Sequence, residues 1–335
     1  MKFGKLDVSS AEGAILAHSV RRGAVSFKKG RMLSAQDVAA LADAGVNTVF
    51  AARLEAGDIH EDVAAARLAV AVTGDGLALQ DASTGRANIY AASAGVVRVD
   101  AGLVRALNRL DEAVTLATLT PFQTVEEGQM VATVKIIPFA ASAAIIDEAC
   151  ALAEAGPLVS VMPFTPHRAG LVLTRIDGMK ESLLDKSAQV IRDRLERFGS
   201  TLGEVVEVPH TIEGVAQGIR QLKASGHDPV LVFGASAIVD RGDVVPAGLQ
   251  AAGGDVIHLG MPVDPGNLLM LGSLQGSPVI GVPSCARSPK LNGFDWVLAR
   301  VLAGIDVRPQ DIMDMGAGGL LMEIDSRPSP REAGR

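Results

Sequence analysis

Beyond residue 168, short apolar runs alternate with longer stretches in which apolar side chains recur every three to four positions. The runs predict strands over 170–175, 203–208, 229–234, 256–260, 268–272 and 278–282, and the longer stretches predict helices over 182–198, 211–225, 243–252 and 291–303. Regular alternation of this kind builds a mostly parallel sheet covered on both faces.

Before residue 156 the pattern is less regular. The segment from Gly13 to Val20 is β-rich and Lys28 to Arg31 reads as an exposed turn, which together predict a short strand pair. Ser34 with Asp37 forms an acidic variant of a capping box with Leu33 as its staple, and Gly45 ends the pattern, so a helix is expected over 35–44. A strand over 46–51 follows, and Asp58 signals the start of an Ala-rich helix over 59–72, giving a β-α-β-α order. Leu103, Ala106, Leu107 and Leu110 share one face of a third helix over 100–109. β-Branched residues and the Glu127-Gly128 turn predict a small β unit near 113–139, and a helix over 141–155 is stopped by Gly156-Pro157. The domain boundary is expected between Gly156 and Arg168. This gives an α+β N-terminal region, 1–156, an α/β domain, 168–305, and a C-terminal extension, 306–335, whose polar tail from Asp325 to Arg335 is expected to be disordered.

Composition narrows the function. A chain of 335 residues, 48% hydrophobic, holds enough apolar material for two cores. Its formal charge of -7 argues against a general nucleic-acid binder, which needs a basic face, while leaving room for a local cationic cluster that serves a small anion. With one Trp and one Tyr, base stacking is not expected either. Cys150 and Cys285 lie far apart without metal-ligand spacing, and the six histidines show no i, i+3 or i, i+4 pairing. The chain has no apolar run near the roughly 18 residues of a membrane span. A cytoplasmic homo-oligomer without nucleic-acid or membrane partners is the expectation.

In a sheet of this type ligands lie outside the carboxyl ends of the strands. Arg175, Lys180, Lys186, Arg241, Arg287 and Lys290 all fall in or beside predicted strand-end loops. After the third strand come the small residues Gly234-Ala235-Ser236, which let backbone N–H groups approach an anion, and Asp243, placed to cap the next helix. Ser236 and Ser284 are hydroxyl donors to a phosphate or ordinary turn residues. Cys285 sits near Arg287 and Lys290, cations of the kind that lower a thiol pKa, although a buried small Cys is the commoner role. His167 precedes the first strand as a further ligand contact or as linker.

Three segments in order carry a resemblance: Arg241-Gly-Asp-Val-Val-Pro246, Gly260-Met-Pro-Val-Asp-Pro-Gly-Asn267 and Val279-Ile-Gly-Val-Pro-Ser-Cys-Ala-Arg287. Residues 168–305 resemble the molybdopterin-binding domain of molybdenum-cofactor biosynthesis, shared by molybdopterin molybdotransferases and adenylyltransferases. The resemblance implies a three-layer αβα fold and an anionic pterin ligand, with magnesium assisting. The ligand-binding set it implies is Arg175, Asp177, Lys180, Lys186, Gly234, Ser236, Arg241, Asp243, Pro265, Gly266, Asn267, Pro283, Ser284 and Arg287. The opening Gly13-Ala-Ile-Leu-Ala-His-Ser-Val20 is similar to the start of molybdotransferases. The chain departs from the family where Gly234-Ala235-Ser236 replaces two adjacent glycines, Thr174-Arg-Ile-Asp177 replaces Thr-Gly-Asp-Glu, Asn267 replaces Lys, and Pro283-Ser-Cys-Ala286 replaces Pro-Gly-Asn-Pro. Three functions stay open. One is a molybdotransferase-like enzyme that binds molybdopterin or its nucleotide form. Another is a non-catalytic module serving a separate nucleotidyltransferase or molybdoenzyme. The third is an unrelated enzyme of a small phosphorylated metabolite.

Overall fold

A computed structural model describes residues 1–321, which divide into one unit ending at Met162 and a second beginning at Pro163. The tail from Asp325 to Arg335, expected to be disordered, lies outside the described residues. No helix among the described residues is long and apolar enough to cross a membrane.

The first unit contains more strand than its apolar pattern suggests. Lys2–Asp7 and Ile15–Leu16 pair antiparallel on either side of Thr48–Arg53, and Val20–Arg22 forms a hairpin with Val25–Phe27. Helix Ala35–Asp43 starts with the expected capping box of Ser34 and Asp37. Arg31 donates to both Asp37 oxygens at 3.0 and 2.8 Å, and this bond, more than any other, holds the carboxyl below its ordinary range. The next helix, Glu61–Val72, corrects the expected cap. Asp58 lies in a strand, Asp58–His60, that pairs with Ala140–Ser142, so the cap falls to His60, whose Nδ1 accepts from Asp62 N at 3.3 Å. The same pairing delays the start of the helix expected over 141–155, which runs over Ala143–Leu152 and continues as a 3-10 turn over Ala153–Ala155. Strands Leu77–Leu79, Arg86–Ala91 and Gly95–Val99 were not foreseen. Ala87, Ile89 and Ala91 are the buried positions of Arg86–Ala91, and two alanines in three dilute its alternation. The expected β unit at 113–139 is therefore no isolated piece, because Met130–Ile136 lies between Val114–Thr118 and Arg86–Ala91 in a four-stranded sheet.

The second unit is built on one six-stranded sheet. Its elements are β1 (Arg168–Arg175), α1 (Glu181–Arg197), β2 (Thr201–Pro209), α2 (Ile212–Ala224), β3 (Val230–Phe233), α3 (Val244–Ala251), β4 (Asp255–Leu259), β5 (Met270–Leu274), β6 (Ser277–Val282) and α4 (Gly293–Leu302). The strand order is β2-β1-β3-β6-β5-β4. β1 is parallel to β2 and β3, and β3 is parallel to β6, whereas β5 runs antiparallel to β6 and to β4. The sheet is mostly parallel as expected, with β5 alone reversed, and the cause of the reversal between β5 and β6 is local. Leu274 pairs with Ser277 across Gln275 (φ 53°) and Gly276 (φ 78°), and two successive positive φ values make the tight turn that reverses a chain within two residues.

Val172, Val230, Val232 and Val279 pack on one face against Val215, Ile219 and Leu222 of α2 and Val245 and Leu249 of α3. Leu171, Leu173, Leu231, Phe233, Ile280 and Val282 alternate with them and are also buried, the signature of strands enclosed on both sides. Each such side chain contributes about 1.5–3 kcal/mol on burial. Since β4 reverses relative to β5 and β5 relative to β6, the loops after β1, β2, β3, β4 and β6 all leave from one edge of the sheet.

Candidate ligand site at the carboxyl edge of the sheet

Register places three polar side chains in a row. Arg175 of β1 pairs with Pro209 of β2, and Leu173 pairs with Phe233 of β3, so Thr174 faces the points where β2 and β3 give way to His210 and Gly234. His210 N donates to Arg175 O at 2.9 Å and continues the ladder. Thr174 Oγ1 lies 2.8 Å from His210 Nδ1, and His210 Nε2 lies 2.8 Å from Ser236 Oγ. Ala235 N donates to Thr174 Oγ1 at 2.7 Å and ties the loop to the end of β1. Burial lowers the pKa of the His210 imidazole, outweighing the pull of the Asp243 carboxylate.

On the β6 side of the edge, the short turn Ser284–Arg287 carries Arg287 back over β3. Its guanidinium carbon lies 4.4 Å from the centroid of the Phe233 ring, Nη2 donates to Gly234 O and Nε donates to Ser187 Oγ, both at 3.3 Å. Desolvation lowers the pKa of this half-buried arginine, which still carries its charge near neutrality. The turn is held from beneath by Arg194 of α1, 1% exposed. Arg194 pairs with Asp295 at 2.5 Å and donates to the carbonyls of Ala286, Ser288 and Lys290 at 3.0, 2.8 and 3.2 Å. Asp295 and Asn292 in turn form the capping box of α4. One buried guanidinium thereby sets the shape of the whole loop. Asn292 Nδ2 donates to Cys285 Sγ at 3.2 Å, which gives this thiol a place in the same scaffold.

Of the residues expected from the sequence, Gly234, Ser236 and Arg287 are brought together with Thr174 and His210. Others are placed differently. Arg175 is exposed and pairs with Glu207 at 3.6 Å, while Asp177, Lys180, Lys186 and Lys290 are exposed. Arg241 donates to Val256 O at 2.9 Å, along β4. Asp243 stands at the cap position of α3 but makes no cap bond to it. Its carboxylate instead accepts from Val239 N at 2.6 Å and Asp240 N at 2.8 Å, bonds that hold its pKa below the ordinary range. Gly242 N donates to Asp240 Oδ1 at 2.7 Å. The amides of Val239, Asp240 and Gly242 thus face the chain's own acids. Pro265 O accepts from Gly293 N at 2.8 Å, and a Cβ on Gly266 (φ +144°) would stand 2.9 Å from Gly293 Cα, so this segment packs on the start of α4. Asn267 bonds back to Met261 through its carbonyl at 2.9 Å and its side chain at 3.4 Å. Pro283 is buried and Ser284 exposed. His167 precedes β1 and hence lies at the opposite edge.

Thr174 and His210 were missed by sequence reading. Both were visible as polar residues at the ends of predicted strands, but nothing in the sequence showed that neighbouring strands would bring those ends together. Among the described residues no three His, Cys, Asp or Glu side chains converge to hold a metal ion. A cavity of about 330 Å³ lies at the other edge of the sheet, lined by residues that include His167, Asp228, Pro229, Leu271, Gly272 and Val301.

Comparison with known proteins adds the following. Residues 5–53 match the family model described as a domain of unknown function, DUF8806. No curated protein matches the chain. Among solved structures, the chain is similar to the molybdopterin biosynthesis moea protein from Pyrococcus horikosii at 11% identity, over 90% of this chain and 75% of that one, with a TM-score of 0.33. A molybdenum cofactor biosynthesis protein from Pyrococcus furiosus is 12% identical over 91% of this chain and 66% of that one, with a TM-score of 0.26. A molybdopterin biosynthesis protein from Mycobacterium abscessus is 13% identical over 41% of this chain and 97% of that one, with a TM-score of 0.29. TM-scores of this size do not establish a common fold.

Proposed function

We propose that the second unit is a three-layer αβα domain that binds an anionic pterin or nucleotide-like ligand at the carboxyl edge of its sheet. Molybdopterin, or its nucleotide form, is the ligand that the sequence resemblance implies, within molybdenum-cofactor biosynthesis. The observation that carries the reading is Arg287: a half-buried guanidinium fixed over Phe233, with Ser236 on the loop it touches. A planar cation anchored in this way supplies directed donors to phosphate oxygens, and its fixed geometry reduces the side-chain ordering left for the ligand to impose.

Binding is favoured over turnover. Asp240 and Asp243, the acids of the loop after β3, are committed to backbone amides, and Asp177 stands exposed on the loop after β1. Mg²⁺ is commonly held by one or two carboxylates completed by ligand phosphates and water. The exposed Asp177 would be one such carboxylate, and no step is routed through a metal here. A cytoplasmic module that presents the cofactor to a separate nucleotidyltransferase or molybdoenzyme fits this arrangement better than a molybdotransferase.

Calorimetric titration of the full chain with molybdopterin tests the proposal. Wild type binds, and Arg287→Gln weakens binding at least tenfold, since a hydrogen bond to a charged group is worth about 1.5–3 kcal/mol. Absence of binding by the wild type refutes the function, and equal affinity in Arg287→Gln removes the arginine from the site.

A further inference from the structure

Thr174, His210 and Ser236 form a chain of polar side chains whose direction the structure decides. Two opposite chemistries share such a geometry. In a nucleophile chain, the imidazole keeps its proton on Nδ1 and draws the serine proton onto Nε2. In a donor chain the order is reversed. The buried end discriminates between them. Thr174 is 1% exposed, and its hydroxyl carries a single proton. One of its partners is the amide of Ala235, which only donates. The other is His210 Nδ1 at 2.8 Å. A buried hydroxyl left without an acceptor costs about 1–3 kcal/mol, so the Thr174 proton goes to Nδ1. An imidazole that accepts at Nδ1 is neutral and carries its proton on Nε2. Nε2–H then donates to Ser236 Oγ over 2.8 Å. Ser236 is exposed, and with its oxygen already accepting, its own proton points outward.

We infer that Thr174, His210 and Ser236 are a relay that presents the Ser236 hydroxyl proton to a phosphoryl oxygen of the ligand at this edge. The inference rests on the proposed function and names the ligand group and the residues that receive it. Each bond polarises the next, so the terminal hydroxyl is a stronger donor than an isolated serine. Arg287, which reaches Gly234 two residues before Ser236, marks the receiving group as an anion. The same direction of donation excludes Ser236 as a nucleophile activated by His210, because the nitrogen facing it is already protonated. Thr174 and His210 act through Ser236 and are positioning residues.

Two measurements on the full chain test this. Long-range proton–nitrogen correlation spectra of ¹⁵N-histidine-labelled protein at neutral pH, assigned with His210→Gln, report which ring nitrogen is protonated. The relay requires Nε2–H with Nδ1 accepting, a state retained in Thr174→Ser and lost in Thr174→Val. Titration with inorganic pyrophosphate gives the second readout: Ser236→Ala, at an exposed position, weakens binding about tenfold and Arg287→Gln at least as much. A proton on Nδ1 in the wild type overturns the relay. Weakened binding in Arg287→Gln with wild-type affinity in Ser236→Ala overturns the relay and leaves the ligand edge standing. Wild-type affinity in both variants, or no pyrophosphate binding by the wild type, overturns both.

Discussion

The two edges of the second unit's sheet differ in kind. At the edge where the parallel strands begin, the surface is concave, a cavity of about 330 Å³ with Pro229, Leu271 and Val301 in its wall. At the edge where they end there is a layered polar arrangement: Arg194 buried beneath, Arg287 half-buried above it, and the chain from Thr174 to Ser236 reaching solvent. A well-formed concavity is the usual starting hypothesis for a ligand site. Here shape and chemistry separate, because a gap needs only imperfect packing between strand starts and a helix end. A row of oriented donors needs several loops held in fixed relation. The second condition is the more demanding, and it is met at the carboxyl edge.

Several changes would break or sharpen this contrast. The largest effect is expected for Arg194→Leu, which leaves Asp295 buried without its partner and removes donors from three loop carbonyls. A loss of about 3–5 kcal/mol is expected in urea unfolding; a loss under about 1 kcal/mol would show that the loop does not depend on this arginine. Gly272→Ala strikes the cavity wall instead. Its Cβ would stand 2.7 Å from Asp255 O and collide with Leu249 Cδ2, which predicts a cost of about 1–3 kcal/mol and unchanged pyrophosphate affinity. Altered affinity in that variant would move the ligand to the opposite edge.

A smaller effect comes from pH. Burial lowers the pKa of His210 and of His258 from the ordinary 6.5, with Arg241 adding to the shift of His258. Below pH 6.5 the unfolded chain therefore takes up protons that the native chain refuses, and stability falls until the native pKa values are reached. Denaturation midpoints at pH 7.5 and 5.5 should show this decline, and His210→Gln should reduce it. A flat profile would mean that neither ring is kept neutral by the fold. The smallest change is expected for Arg241→Ala. This exposed residue contributes one bond to Val256 O, so stability should move by less than about 0.5 kcal/mol, and pyrophosphate affinity should fall less than in Arg287→Gln.

Some of this was legible in the sequence. Continuous apolar runs such as Leu171 to Leu173 and Val230 to Phe233 name doubly covered strands without help from elsewhere in the chain. The strand Arg86–Ala91 was not legible, since its buried positions include two alanines that suit helix as well as strand. At the site, Gly234, Ser236 and Arg287 stood out as small or cationic residues after strands. Asp243 also stood out, but its carboxylate turns back into its own loop, a choice between two sets of amides that spacing does not distinguish.

By itself the sequence determined where the six strands of the second unit's sheet and the helices α1 to α4 lie, because local periodicity and turn chemistry are properties of adjacent residues; it did not mark the helix Pro309–Met313. It also determined that single cations such as Arg175, Arg241 and Arg287 follow strands in a chain of net charge -7. Only the tertiary structure decided that Thr174, His210 and Ser236, from three separate strand ends, form one chain, and that Arg194 holds the loop 92 to 96 residues beyond it. Those contacts follow from the order and register of parallel strands and from helices crossing the sheet. Register of that kind is fixed when many side chains bury together, and no single segment encodes it.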